Sequence, residues 1–240
     1  VITLCETWTN PTIIDGELSI PGYALKARLD RTDTTDGRGG GILTYVKEGI
    51  LAHEEQSDVL KRFNQGTCLR LYLNNRQVKL YTLYRSPNSS QVNDSALFDV
   101  LSNSDRDSVY IGDFNYPDVD WENMNATSPK SSLFLETTMD NFLCQFIDFP
   151  TREKNTLDLL LAQDDGLVGD AKCAGKVGSS DHDAIEFDIR VGPLGPPPTT
   201  QHIPNFARAD FAAIKNEISA CRWAETFSEM TVEQSLQYFK

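Results

Sequence analysis

The chain has 240 residues, 40% of them hydrophobic, including 12 Phe, 8 Tyr and 3 Trp, and carries a formal charge of −13 from 22 basic and 35 acidic side chains. That apolar content excludes a disordered chain and suffices for one large core, or one core with an appendage, while no run approaches the ~18 apolar residues of a membrane span. The acidic balance argues against a generic nucleic-acid binder with a basic surface, so any DNA contact should rest on a local basic patch and be weak and salt-sensitive.

The first residues, Val1-Ile2-Thr3-Leu4-Cys5, lack a basic leader and a small-residue cleavage site and read as a core strand already under way. No initiator Met precedes them, which suggests a fragment. The Cys at 5, 68, 144, 173 and 221 are scattered without a C-x-x-C pair, which favours reduced thiols inside a cell. The His at 53, 182 and 202 lack ligand spacing, which argues against zinc.

From 1 to 190, short apolar runs alternate with Gly, Asn, Asp and Ser breaks. They predict strands at 1–5, 23–29, 41–47, 50–55, 67–73, 77–84, 108–112, 156–162 and 184–190. Asn74-Asn75 marks a tight hairpin between two of these. Helices are predicted at about 91–103 and about 131–145, the second from Leu135, Met139, Phe142, Leu143 and Phe146 at helical spacing. Hairpin-connected strands with few helices predict an α/β fold, a two-sheet sandwich flanked by helices. The reading divides the chain into a domain at 1–191, a Pro-rich linker at 192–205 and a helical tail at 206–240. In the tail, Phe211, Ile214 and Ile218 form a stripe, and Thr231 with Gln234 offers a capping box.

The polar residues that punctuate these strands carry the chemistry. Glu6 ends an apolar strand, where a carboxylate can hold Mg²⁺ or simply be solvated. Asp113 and Asn115 follow Val109-Tyr110-Ile111 at i and i+2, so both should point to one side. The Asp could take a proton from water and the Asn amide orient it; the same pattern is also ordinary loop chemistry. Asp158 interrupts Leu157 to Leu161, a costly position unless the carboxylate is paired. It could fix the tautomer of His182 or make a structural bond. Asp181-His182 opens the strand Ala184-Ile185-Glu186-Phe187, where the imidazole could meet charge on a phosphoryl oxygen or be a satisfied core His. Tyr84-Arg85-Ser86-Pro87 ends a strand; its hydroxyl could donate to phosphate and Arg85 pair with it. Arg38-Gly39-Gly40-Gly41 lacks the Gly-Lys-Ser/Thr ending of a P-loop and reads as a turn that could bring Arg38 near substrate.

The ordered set Glu, Tyr, Asp-x-Asn, Asp, Asp-His resembles the endonuclease/exonuclease/phosphatase superfamily, and within it the endonuclease domain of non-LTR retrotransposon polyproteins. The resemblance covers about residues 1–190. It is carried by Glu6-Thr7-Trp8, Gly39-Gly40-Gly41-Ile42, Leu83 to Pro87, Ile111 to Asn115, Thr151-Arg152 with Thr156 to Leu161, and Ser180-Asp181-His182. Gly166 to Asp170 and Phe206 to Phe211 are similar to the link that precedes a reverse transcriptase.

The resemblance implies a deoxyribonuclease I-like sandwich that nicks DNA with Mg²⁺ (Mn²⁺ as the alternative) and leaves a 3′-hydroxyl as primer for reverse transcription. It implies that Glu6 holds the metal, that Asp113 activates or orients water beside Asn115, and that Tyr84 contacts the scissile phosphate. Asp158 would support His182, and Asp181 would help with metal or water. The implied partners are DNA and a reverse transcriptase domain of the same polyprotein, with no membrane, for a monomeric domain acting in the nucleus. The family also places an Asn-bearing strand upstream of the metal-holding Glu. With Glu6 so near residue 1, the expectation is that this strand is missing and leaves its neighbours without ladder partners. The alternatives are a small or lipid phosphoesterase of the same superfold and a catalytically dead DNA-binding or relic module.

Overall fold

A computed structural model describes residues 1–31, 39–74, 76–163, 166–191, 210–228, 230–232 and 234–235. Arg38, Asn75, the linker at 192–205 and residues 206–209 lie outside them. The chain divides into two compact units, Val1–Pro196 and Pro197–Lys240.

In the first unit the described strands are β1 (Ile2–Cys5), β2 (Tyr23–Leu29), β3 (Ile42–Lys47), β4 (Leu51–Glu54), β5 (Gly66–Leu73), β6 (Arg76–Tyr84) and β7 (Ser108–Asp113). The short β8 (Val119–Asp120), β9 (Asn125–Ala126) and β10 (Leu143–Gln145) follow, then β11 (Asp158–Gln163), β12 (Val168–Lys176) and β13 (Asp183–Ile189). A six-stranded sheet runs β10-β11-β7-β6-β5-β4. Its β6–β7 pair is parallel, joined by the helix α2 (Gln91–Ser102) as a crossover.

The period-two alternation of this sheet divides the core. One face, with Cys68, Leu83, Tyr110, Leu159 and Leu161, packs on α1 (Asp58–Phe63), α2 and α3 (Pro129–Asp140). The other, with Leu69, Leu71, Val78, Leu80, Val109 and Leu160, faces Ala27, Val46 and Val168 of the second layer. Each helix starts on a serine whose hydroxyl accepts a backbone N–H: Ser57 from Leu60, Ser90 from Asn93 and Ser128 from Ser131.

The architecture is the expected α/β sandwich, with its second layer in two pieces. Among the described residues β1 pairs with β3, and β3 with β2, while β12 and β13 form a separate two-stranded sheet. β1 and β13 therefore each present an unpaired edge among the described residues.

Two sequence expectations are corrected. The helix predicted at 131–145 ends at Asp140: Phe142 takes a left-handed φ of 56°, and Leu143–Gln145 pairs with β11 as an edge strand. Leu143 thus reaches the core by strand alternation rather than along the helical stripe. β12 was not predicted, because Gly169, Asp170, Lys172, Gly175 and Lys176 give it a poor strand composition. Pairing with β13 overrides that preference, with two register shifts.

In the second unit α4 (Phe211–Ala220) is capped by Asp210, whose side chain accepts from Ala213 N–H. α5 (Trp223–Phe227) stacks Trp223 on Phe227. Thr231 and Gln234 make the reciprocal bonds of a capping box.

Candidate active site

Three adjacent strands of the large sheet end in one row. Tyr84 is the register partner of Asp113 across the parallel β6–β7 pair, and Asp158 is its partner across the antiparallel β7–β11 pair. Register partners share a face, and this face continues that of Leu80, Val109 and Leu160, which looks toward the second layer. Glu6 follows the end of β1 and His182 precedes β13, so the second layer supplies both to the same end.

The pieces are locked by backbone geometry. Gly112 has φ 134°, and a Cβ there would lie on the Leu83 carbonyl, so the approach of β6 to β7 beneath the site requires glycine. Thr151 is fully buried; its hydroxyl accepts from the N–H of Leu157 and Asp158 at 3.0 Å each, and its carbonyl accepts from Asp183 N–H at 2.8 Å. One threonine thus ties the Asp158 strand to the His182 strand. In the sequence Thr151 stands out only through the resemblance; the signal for its role is a hydroxyl beside a proline ahead of a buried run.

His182 Nδ1 lies 2.6 Å from Asp158 Oδ2. This hydrogen bond, with the Asp158 charge, raises the imidazole above its ordinary value, and the Asp113 charge adds to the rise. Asp113 is 3% exposed. Burial, then the Asp158 charge opposite, push its carboxyl up to about 7, and Glu6 adds to the effect. Burial and the neighbouring Glu6 raise the Tyr84 hydroxyl. Cys5 lies beside the same carboxylates, where burial raises its thiol strongly. No strand-end reading pointed to it, because its side chain belongs to an apolar run.

Other expected site residues are placed differently. Arg85, expected at substrate, is 3% exposed and points inward. Its Nε and Nη2 donate to Asp94 at 2.8 and 3.1 Å, its Nη1 donates to the Asn115 carbonyl at 2.9 Å, and it stacks 4.0 Å over the Tyr116 ring. A guanidinium so committed serves the turn after β7 and is closed to phosphate. Asn115 does not continue the strand direction of Asp113, because its φ of 51° is left-handed. Its Nδ2 donates to the Arg85 carbonyl at 2.9 Å and its N–H to Asp113 Oδ1 at 3.1 Å. Its amide N–H groups therefore brace Asp113 and the turn. Asp181, expected at the metal, is 65% exposed along its side chain and paired with Arg152 at 2.6 Å. Arg38 lies outside the described residues.

Among the described residues no group of three or more His, Cys, Asp or Glu gathers as a metal cage. Glu6 with its neighbour Asp113 is a sparse set of carboxylates. It fits Mg²⁺, which is held by one or two carboxylates and keeps several waters; Glu6, exposed beside Tyr84 and close enough to Asp113 to shift it, is such a carboxylate.

Residues 78–186 match the model of a family described as Endonuclease-reverse transcriptase. No curated protein matches the sequence. The fold is similar to the endonuclease domain of TRAS1, a telomere-specific non-LTR retrotransposon, at 15% identity and a TM-score of 0.56, over 71% of this chain and 80% of that one. It is also similar to an endonuclease/exonuclease/phosphatase family protein from Leptotrichia buccalis (15% identity, TM-score 0.47, 70% of this chain and 71% of that one). A third is humanized D. rerio TDP2 (16% identity, TM-score 0.48, 76% and 82%). The matched segment spans Tyr84, Asp113, Asp158 and His182, and the α/β sandwich that carries them is the fold shared with the first of these structures.

Proposed function

We propose that the domain is a metal-dependent DNA endonuclease that hydrolyses one phosphodiester, with Mg²⁺ held by Glu6. The observation that carries this reading is the row Tyr84–Asp113–Asp158 with His182 fixed on Asp158 at 2.6 Å. In it, Asp158 engages Nδ1 of His182 and leaves Nε2 for a phosphate oxygen, so the imidazolium meets charge developing there. Asp113, poised at about 7, takes the proton of the attacking water. Asn115 and Arg85 hold the Asp113 turn in place, and the Tyr84 hydroxyl donates to the phosphate. Bound Mg²⁺ would supply positive charge to the phosphate and its leaving oxygen. The resulting 3′-hydroxyl would suit a reverse transcriptase on the same polyprotein, a reading supported by the description of the matched family.

The test is conversion of supercoiled plasmid to the open circle. Nicking should require Mg²⁺, stop with EDTA, and fall by about 10²–10⁴-fold in His182→Ala, with Asp158→Asn falling less. Nicking that persists unchanged in His182→Ala sinks the assignment. So does release of phosphate from inositol or lipid phosphoesters by a protein that leaves plasmid intact.

A further inference from the structure

We propose that the cleft beside Tyr84 is a base-reading subsite, which takes the nucleobase adjacent to the scissile phosphodiester; this rests on the nuclease reading above. The cleft encloses about 680 Å³, within the ~300–1,000 Å³ of small-ligand pockets. Tyr84 lies at its catalytic end, so a nucleotide whose phosphate meets Tyr84 would place its base in the cleft.

The walls suit a flat polar ring. Gly39 and Gly41 have φ of 84° and 92°. A Cβ on Gly39 would stand 3.0 Å from the Tyr84 hydroxyl and 3.7 Å from Glu6 Oε1, so glycine keeps the passage between cleft and catalytic end open. Asn64, Gln65 and Asn88 also line the cleft. Among the described residues the side-chain amides of Asn64 and Asn88 make no hydrogen bond to protein, and Gln65 Oε1 accepts only a long one from Asn93, at 3.5 Å. Each amide offers donors and an acceptor, the pairing that Asn and Gln use on base edges.

These amides sit on fixed backbone. Asn64 caps α1 with φ 53° and its N–H donates to the Leu60 carbonyl. The Gln65 carbonyl accepts from Tyr84 N–H at 2.8 Å, which ties that amide to the catalytic strand end. Asn88 lies in a turn closed by Ser89 N–H on the Ser86 carbonyl at 3.0 Å.

The experiment uses the whole 240-residue chain, ¹⁵N-labelled. Side-chain amide signals of Asn64, Gln65 and Asn88 are followed as each deoxynucleoside 5′-monophosphate is titrated, with deoxyribose 5-phosphate as the base-free control. At least one nucleotide should shift these signals beyond the control, and the shift of the Gln65 signal, which the substitutions leave in place, should be lost in the double variant Asn64→Gly/Asn88→Ala, whose glycine keeps the left-handed cap. No shift, or the same shift with deoxyribose 5-phosphate, overturns the subsite.

Nick positions mapped on plasmid should show one base favoured beside the nick by about tenfold, and the double variant should flatten that preference. A preference retained in the variant also overturns the subsite. A protein that binds nucleotides through these amides and never nicks would overturn the nuclease reading alone.

Discussion

Asp113 is the residue on which the site turns, because it faces a second carboxylate directly across a strand pair. Its raised value has a consequence for stability. The unfolded carboxyl titrates near ~3.9 and the folded one at about 7, so the contribution is full below the unfolded value and is lost as pH rises through the folded one. His182, also raised, has the same sign: its contribution is lost as pH climbs past the ordinary imidazole range. Asp113→Asn should therefore gain on the wild type by on the order of 2 kcal/mol between pH 5 and pH 8, read from urea midpoints. A constant difference across that range would show that Asp113 is not held protonated.

The gathering of Tyr84, Asp113, Asp158 and His182 at one end of the sheet was legible in the sequence because each interrupts or borders an apolar run. The directions of Arg85 and Asn115 were not legible. They depend on a left-handed turn and on Asp94, a carboxylate in the first turn of a helix that looks like ordinary surface in the sequence.

At the scale of elements, that same Asp94 joins α2 to the turn after β7. The Arg85–Asp94 pair is buried on both sides, and Lys130 of α3 adds a contact to Asp94 at 3.6 Å. Removing one partner strands a buried charge, which costs about 3–5 kcal/mol, whereas replacing both by apolar groups of similar size can be nearly neutral. Asp94→Ala should lower the urea midpoint accordingly, and Arg85→Met/Asp94→Leu should recover much of the loss. If the double variant regains stability while nicking stays depressed, the pair acts by positioning Asp113 and Asn115. Equal recovery of both would assign it to stability alone.

Strand prediction succeeded where apolar alternation was strong, as in β6 and β7, and failed at β12, whose glycines and charges become a strand only through β13. Helix prediction at 131–145 overran for a related reason. Leu143 and Phe146 fit a helical stripe in one dimension, yet Phe142 turns the chain and lets Leu143 enter the core from a strand.

For the molecule as a whole, the charge of −13 bears on the proposed DNA substrate, because many of the described cations are already engaged. Arg28, Arg70, Arg76, Lys79, Arg85 and Arg152 are all paired with carboxylates. Affinity for a long polyanion should consequently depend on the site and its cleft more than on the general surface.

The split second layer bears on how the protein behaves in a tube. Unpaired edges are templates for another chain, and β13 presents Glu186 and Asp188 outward while Ile185, Phe187 and Ile189 face the core. Those carboxylates guard against edge-to-edge association by repulsion between copies. Added salt, which screens that repulsion, should raise light scattering and thioflavin binding in a concentration-dependent way. Glu186→Gln/Asp188→Asn should bring the same onset to lower salt, and a variant as clear as the wild type at every salt concentration would show that the edge is protected by something other than charge.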